Sequence, residues 1–397
     1  MTICGVVAEY NPFHNGHAWQ LRRARELSGC DYVIVCMGGG ISQRGEVMLL
    51  DKWTRARMAL MYGADLVVEL PALFAVRPAE AFARGGVLTL VGLCADALSF
   101  GCETDDESLL SSLAWALDEE SEALSAETKR GLADGLSHAR ARGEALERLN
   151  GLPEGFMNRP NVTLALEYMR TLRHVGRSVA VYPIQRIGGY RDAAIGEFSG
   201  ASAIRAALEA EGLGPVRMAV PAGVFDLLAG RMANGCFARQ DRLDSALLYR
   251  LRVARPEELA GLCDVSEGLE GLFVHSAPLA ASREDLLERV RCRRYTRARL
   301  SRFCACALLS LTRSDALAHP VPEYARVLGF RREALPLLRY LKAHATLPLA
   351  SDPVALRNDS LFRFDRAATD LQALAMESPA FRAAGQDFTR QIVIVDA

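Results

Sequence analysis

Residues 9 to 20 read Glu-Tyr-Asn-Pro-Phe-His-Asn-Gly-His-Ala-Trp-Gln, and this run carries the densest chemistry in the chain. His14 and His17 bracket Asn15 and Gly16 where an apolar strand pattern gives way to a helix pattern. Two imidazoles three residues apart at a helix N-terminus lie on one face, one turn apart. The first-turn N–H groups and the helix dipole favour anions at the same spot, and Gly16 lets a ligand come close to the backbone. Such a constellation suits the polyphosphate of a nucleotide, where charge builds on the α-phosphate during transfer. A structural helix start with one buried His is the plainer alternative. The strand–turn–helix setting favours the chemical one.

Five further segments place donors at strand ends or helix starts. Ser42-Gln43-Arg44-Gly45-Glu46 follows the glycine-rich end of a strand, and Arg44 can fork onto a phosphate or a carboxylate, or simply hold a turn in a surface salt bridge. Ser99-Phe100-Gly101-Cys102-Glu103 puts Gly101 at a strand end, fit for close backbone approach to a nucleobase or ribose. Asn158-Arg159-Pro160-Asn161 precedes a helix, and Asn161 reads as its N-cap. Arg186 closes a strand just before Gly188-Gly189-Tyr190 and is a candidate phosphate contact. Ser199 to Arg205 opens a helix that Ser202 could cap and from which Arg205 could face phosphate. Farther on, Arg289 to Arg302 holds Arg289, Arg291, Arg293, Arg294, Arg297, Arg299 and Arg302 around Tyr295. That density fits a phosphodiester backbone, with Tyr295 available for stacking; a solvated helix face is the alternative.

The elements that must position these residues follow a βαβ rhythm over the first hundred residues. Strands are expected at Thr2 to Ala8, Tyr32 to Met37, Leu66 to Leu70 and Ala97 to Phe100, with helices at Asn15 to Leu27, Lys52 to Tyr62 and Glu80 to Leu93. The continuous apolar run Tyr-Val-Ile-Val-Cys-Met is that of a strand buried on both faces of a parallel sheet. Glycines follow two strands, at Gly38-Gly39-Gly40 and Gly101, at the carboxyl edge where ligands collect in open α/β sheets. Residues 103–150 read as an acidic pair of helices interrupted near Asp118 to Ser121. A helix from Asn161 to Val175, a strand from Val179 to Ile184 and a helix from Ser199 to Glu211 come next. Beyond about residue 215 strand patterns nearly vanish: 216–345 read as helices, and the tail has mixed signals with one short final strand at Gln391 to Val395. The expected architecture is α/β, an N-terminal Rossmann-like domain with a parallel sheet over 1–215, carrying a helical insertion at 103–150, followed by a mainly α-helical domain over 216–397.

The chain has 397 residues, half of them hydrophobic and 24% charged, which is ample for a core. A formal net charge of -1 does not by itself point to nucleic acid, although a total hides local patches. The ten Cys form no C-x-x-C pair and no zinc-ligand spacing. No signal peptide pattern opens the chain, and no apolar run reaches the roughly 18 residues of a membrane span. A reducing cytoplasm and no membrane association are the expectation.

Taken together, these segments resemble the tRNA(Met) cytidine acetate ligase family of the HxGH nucleotidyltransferase superfamily. The resemblance rests on Glu9 to His17, Gln43 to Glu46, Gly63 to Pro71, Phe100 to Glu103, Pro160-Asn161, Arg186 to Gly188 and Ala201 to Arg205, then on Ser266 to Glu270, Arg294 to Thr296 and Arg326 to Phe330. It implies an HxGH nucleotidyltransferase domain fused to a helical, tRNA-binding domain. It implies ATP-dependent activation of acetate to acetyl-adenylate, with Mg2+, and transfer of the acetyl group to N4 of the wobble cytidine of elongator tRNA(Met). His14 and His17 would carry the catalysis. The ATP-binding residues it implies are Val7, Ala8, Glu9, Tyr10, Asn11, Pro12, Phe13, His14, Asn15, Gly16, His17, Ala18, Trp19, Gln20, Gly101, Asn161 and Arg186, with no protein-held metal. One departure stands out. The family usually has Ser-Gly-Asn/Asp-Phe before Gln-Arg-Gly-Glu-Pro, whereas this chain has Gly38-Gly39-Gly40-Ile41-Ser42, and Val47 in place of the proline; a more flexible loop is expected there. Two rivals stay open at this point. A small-molecule nucleotidyltransferase would share the His pair without needing the arginine-rich half, and a non-catalytic RNA-binding protein would need the arginines without the His pair.

Overall fold

The computed structural model describes residues 1–119, 121–136, 138–187, 195–266, 268–292 and 294–396, with the backbone alone of residues 138 and 139. Gly188, Gly189, Tyr190, Glu267 and Arg293 of the motifs above lie outside the described residues. The described strands are β1 (Ile3–Ala8), β2 (Tyr32–Gly38), β3 (Leu66–Leu70), β4 (Ala97–Cys102), β5 (Ala180–Gln185), β6 (Ala325–Arg331), β7 (Leu349–Ala350) and β8 (Val393–Val395). They form one sheet in the order β5-β4-β1-β2-β3-β6-β7, with β8 also paired to β6. β5 through β3 are mutually parallel, joined by helical crossovers as the βαβ rhythm requires.

Pattern explains burial. Along β2 the side chains alternate between two cores: Ile34 and Cys36 pack on one face of the sheet, Val33, Val35 and Met37 on the other. All of them are inaccessible to solvent, as a parallel strand covered on both faces demands. The strand order reverses direction between β1 and β4. That topological switch point opens a crevice at the carboxyl ends of the two strands, and it receives the turn Glu9 to His14 together with Gly101.

Three expectations are corrected by the structure. The stretch 103–150 contains three helices, Glu107–Asp118, Glu122–Ala133 and His138–Leu149, rather than two. The second break follows Asp134, where Gly135 adopts a left-handed φ of 81°, the usual glycine stop after a helix. The helices expected throughout 216–345 give way to β6, which pairs antiparallel with β3. β8 then pairs with β6, so the chain returns to the sheet after its helical excursion. A boundary at 215/216 therefore does not separate the sheet from everything that follows; the helices between about 222 and 318 add no strand to it but pack into its two cores.

Candidate active site

Helix α1 (Asn15–Ser28) begins immediately after a sharp turn. Tyr10 takes a left-handed φ of 53°, the Asn11–Pro12 bond is cis, and both Tyr10 and Phe13 are buried. The turn is pinned from two sides: the Asn11 side-chain carbonyl accepts the Leu49 N–H at 2.8 Å, and its backbone carbonyl accepts from Arg205 at 2.7 Å. His14 is the N-cap of α1. Its Nδ1 accepts the Gly16 N–H at 3.1 Å, and Nδ1 of His17 accepts the His14 N–H at 3.3 Å. With both Nδ1 atoms occupied as acceptors, each neutral ring carries its proton on Nε2. The rings stack with centroids 3.6 Å apart, and Tyr10 braces His17 edge-on at 4.7 Å. Burial lowers the His14 pKa to about 3, with the Arg186 charge adding to it. Burial, then the His14 and Arg186 charges, hold His17 well below its ordinary value. At neutral pH the pair is thus two uncharged Nε2–H donors side by side, fit to stabilise oxygens that gain charge.

These donors face a cavity of about 920 Å3. Its wall includes Val7, Ala8, Glu9, Tyr10, Asn11, His14, Gly16, His17, Trp19 and Gln20, together with Gly101, Asn161 and Arg186. Pro12, Phe13, Asn15 and Ala18 are not on the wall. Asn15 instead donates to the carbonyls of Glu197 and Met218 at 2.9 and 2.8 Å, holding the following chain segment against the helix start. The N-cap role expected of Asn161 falls to Arg159, with Pro160 and Asn161 in the first turn. The Asn161 side chain reaches out of the helix: it donates to Glu103 at 2.8 Å and accepts from Arg186 at 3.3 Å. Glu103, Asn161 and Arg186 thus link β4, the helix Pro160–Arg173 and β5 beside the switch point. Ser202 does not cap its helix; Gly200 occupies that position without a side-chain bond. Arg205 is held by Asn11 and, at 3.3 Å, by Glu46.

The loop after β2 is not loose. Gly39 and Gly40 are buried. A Cβ on Gly39 would lie 2.6 Å from the Glu69 carboxylate, and one on Gly40 would overlap the Ala368 carbonyl. Ile41 bridges to Val47, closing a hairpin whose Gly45 has a φ of 73°. A Cβ there would meet the Ser301 carbonyl at 2.6 Å. The Gln43 N–H donates to the Glu9 carboxylate at 2.5 Å, a group whose pKa burial raises. Val47, which replaces the usual proline, donates its N–H to the Gln240 side chain at 2.8 Å, a bond proline cannot make. The expected flexibility is overturned by this packing, and Arg44 sits exposed on the cavity wall.

Two buried charge clusters support the site and escaped the sequence reading. Arg55, on α2 (Lys52–Met61), is fully buried. It donates to the carbonyls of Leu50 (3.0 Å), Glu9 (2.6 Å), Gly38 (2.9 Å) and Gly39. On the same helix Lys52 binds Glu69 at 2.6 Å and Asp387 at 2.8 Å, and Arg326 of β6 binds the same two carboxylates. A helix carrying buried charge among apolar residues shows no clean amphipathic stripe, which was the available signal.

The arginine-rich segment is also different from expectation. It spans the end of the helix Arg283–Arg289, a turn, and the start of the helix Arg297–Leu309. Arg289 pairs with Asp285, Arg291 with Glu288, and Arg297 with Glu284 and Glu288. Tyr295 is only 6% exposed, with Arg294 and Arg299 lying over its ring, so it is not available to stack on a base. Arg297 and Arg302 reach the cavity wall.

A parallel sheet with the His pair at its switch point defines a nucleotidyltransferase, and the HIGH Nucleotidyl Transferase family profile matches residues 1–387. The chain is 35% identical to the tRNA(Met) cytidine acetate ligase of Acetivibrio thermocellus, covering 100% of both. It is 35% identical to that of Thermoanaerobacter sp. (strain X514) over 99% of this chain and 100% of the relative. Its fold superposes on the crystal structure of apo Thermotoga maritima TmcAL with a TM-score of 0.93 at 30% identity, and on TmcAL bound with alpha-thio ATP with a TM-score of 0.92 at 29%, covering 100% of each chain. The chain belongs to the HIGH nucleotidyl transferases and, among them, to the tRNA(Met) cytidine acetate ligase family.

Proposed function

We propose that this chain is an ATP-dependent ligase that acetylates N4 of the wobble cytidine of elongator tRNA(Met). The observation that carries the chemistry is the stacked, uncharged pair His14 and His17 at the start of α1, with Arg186 and Asn161 on the wall of the same cavity. Val7 to Gln20, Gly101, Asn161 and Arg186 form the ATP site, with Pro12, Phe13, Asn15 and Ala18 supporting it from off the cavity wall. An acetate oxygen attacks the α-phosphorus in line; the bond from that phosphorus to the β-phosphate bridging oxygen breaks, and diphosphate leaves. The two Nε2–H donors and the first-turn N–H groups of α1 stabilise the oxygens that gain charge, so positioning and electrostatics carry the step. The cytidine N4 then attacks the carbonyl of the mixed anhydride, the C–O bond to phosphate breaks, AMP leaves, and N4 gives up one proton.

The names of the relatives support the acceptor, and the ATP analogue bound to Thermotoga maritima TmcAL supports the donor. Residues 1–215, with the returning strands β6 and β8, form the catalytic unit, and the helices that follow residue 215 approach the tRNA. Mg2+ would be held by the ATP phosphates, the usual way this ion is bound, and would neutralise part of their charge. Among the described residues no group of three or more His, Cys, Asp or Glu is arranged to hold a metal alone. The enzyme works in the cytoplasm, a reading supported by ten free cysteines; among the described residues no helix is long and apolar enough to cross a membrane.

The test is acetate-dependent exchange of labelled diphosphate into ATP, followed by nucleoside analysis of tRNA(Met). The wild type should exchange and should form N4-acetylcytidine, and His17→Ala should lose nearly all exchange. Full exchange by His17→Ala would remove the His pair from the chemistry.

A further inference from the structure

Two arginines on the cavity wall, Arg283 buried and Arg302 half-buried, have no ion-pair partner among the described residues. Arg283 is 7% exposed, and its hydrogen bonds go only to neutral groups: the Ser301 hydroxyl and, at a long 3.4 Å, the Gly45 carbonyl. Arg302 has a single bond, to the Gln43 carbonyl, also at 3.4 Å. The Nε of each is buried without any hydrogen-bond partner, and among the described residues neither has a carboxylate within ion-pair range. Asp264, the acid whose charge Arg302 feels most, is already forked onto Arg77 at 2.9 and 3.2 Å. Burying a guanidinium costs free energy that only a charged or strongly accepting partner repays. The Asp244 carboxyl feels the Arg283 charge without forming an ion pair with it, and both arginine side chains border the cavity.

The cavity has room for a second reactant. At about 920 Å3 it lies near the upper end of the ~300–1,000 Å3 typical of small-molecule sites. The ATP site proposed above draws on the turn after β1 and on the ends of β4 and β5. Arg283 and Arg302 come from a different part of the chain, the helices Arg283–Arg289 and Arg297–Leu309. Two guanidiniums offer several donors suited to the oxygens of a phosphate, while the Ser301 hydroxyl is already occupied, accepting from Arg283 and donating to the Gly45 carbonyl. Arg44 and Arg297 are solvent-exposed on the same wall, Arg297 held by Glu284 and Glu288.

We propose that Arg283 and Arg302 grip the RNA phosphodiester adjoining the target cytidine, positioning that nucleotide inside the cavity. This rests on the acceptor being tRNA, as argued above. It makes the two arginines positioning residues for the transfer step and leaves them no part in adenylate formation.

The test separates binding from chemistry. Equilibrium binding of tRNA(Met) is measured across a salt series for the wild type, Arg302→Gln, Arg302→Lys and Arg283→Lys, with acetate-dependent diphosphate exchange measured in parallel. Arg302→Gln should weaken tRNA binding roughly tenfold or more and flatten the slope of log affinity against log salt by about 0.7, the value of one contact to a single strand. Arg302→Lys should restore the slope. Arg283→Lys should keep the slope while weakening affinity, because an ammonium cannot reproduce the fork. Exchange, with its KM values for ATP and acetate, should be unchanged in all three variants, which also shows that they fold. An unchanged affinity and salt slope in Arg302→Gln would overturn the proposal, and so would a raised KM for acetate or ATP. Wild-type formation of N4-acetylcytidine is assayed alongside; its absence would sink the ligase assignment without touching the binding result.

Discussion

Uncharged His14 has a cost that a pH experiment can measure. Its ordinary pKa of 6.5 is lowered to about 3 in the folded protein, chiefly by burial. A base whose pKa falls on folding is protonated first in the unfolded chain, so acid favours unfolding. The stability involved is complete above pH 6.5 and is progressively lost as pH falls from there toward 3. Between pH 7 and 5.5 the unfolded chain takes up most of a proton at His14 and the folded chain takes up almost none. Integrating that difference gives about 1.2 kcal/mol of lost stability from this one group. His17 adds a loss of the same sign. The measurement is chemical denaturation of the wild type and of His14→Gln at pH 7.0 and 5.5. Glutamine cannot titrate, and the carboxylates contribute to both proteins alike, so the difference of differences isolates His14. The wild type should lose about 1.2 kcal/mol more than the variant over this interval. Equal losses would mean that His14 titrates in the folded protein much as in the unfolded chain, and the picture of two uncharged Nε2–H donors would fail.

Two further predictions concern the frame around the site. Lys52→Met should destabilise the fold by about 3–5 kcal/mol, the cost of breaking a buried pair, because it leaves Glu69 and Asp387 sharing Arg326 alone; a denaturation midpoint unchanged at pH 7 would contradict it. Gly40→Ala should cost about 1–3 kcal/mol by overpacking, because its methyl would overlap the Ala368 carbonyl, a backbone atom that cannot rotate away. A melting temperature equal to wild type in Gly40→Ala would show that the loop yields, as its glycine run first suggested.

Which parts were legible in the sequence follows from how local their causes are. β1 to β5 could be read because each is a short apolar run with a helix pattern after it, and the carboxyl-edge residues Gly101 and Arg186 fall where the strand pattern ends. β6 could not. Ala-Arg-Val-Leu-Gly-Phe-Arg sets Arg326 among apolar residues, and that arginine is buried only because Glu69 and Asp387 meet it from distant parts of the chain. Its Gly329 has no side chain because a Cβ would press on the Val393 carbonyl at 2.7 Å. The three glycines after β2 read as loose for the same reason: the atoms that fill the space beside Gly39 and Gly40 belong to Glu69 and Ala368, invisible to local pattern. Tyr295 looked available for stacking because sequence gives a side chain's type, not which arginines cover it. Asn161 has the residue type of an N-cap, but Pro160 already begins the helix one residue earlier and leaves that position to Arg159.

The two buried charge clusters tie these points to catalysis, because both sit on α2. Lys52 faces the returning C-terminal segment, where Glu69, Arg326 and Asp387 close around it. Three residues on, Arg55 holds the carbonyls of Glu9, Gly38 and Gly39, the carboxyl ends of β1 and β2 where the crevice opens. Arg55 makes these bonds from a fully buried position on α2, so those strand ends are fixed wherever α2 is fixed. The turn Glu9 to His14 starts from one of those carbonyls, and the stacking of His14 on His17 depends on where that turn delivers the helix start. The late strands β6 and β8, which the sequence had assigned to a separate helical half, therefore set the geometry of the His pair through a single helix, although none of their residues borders the cavity.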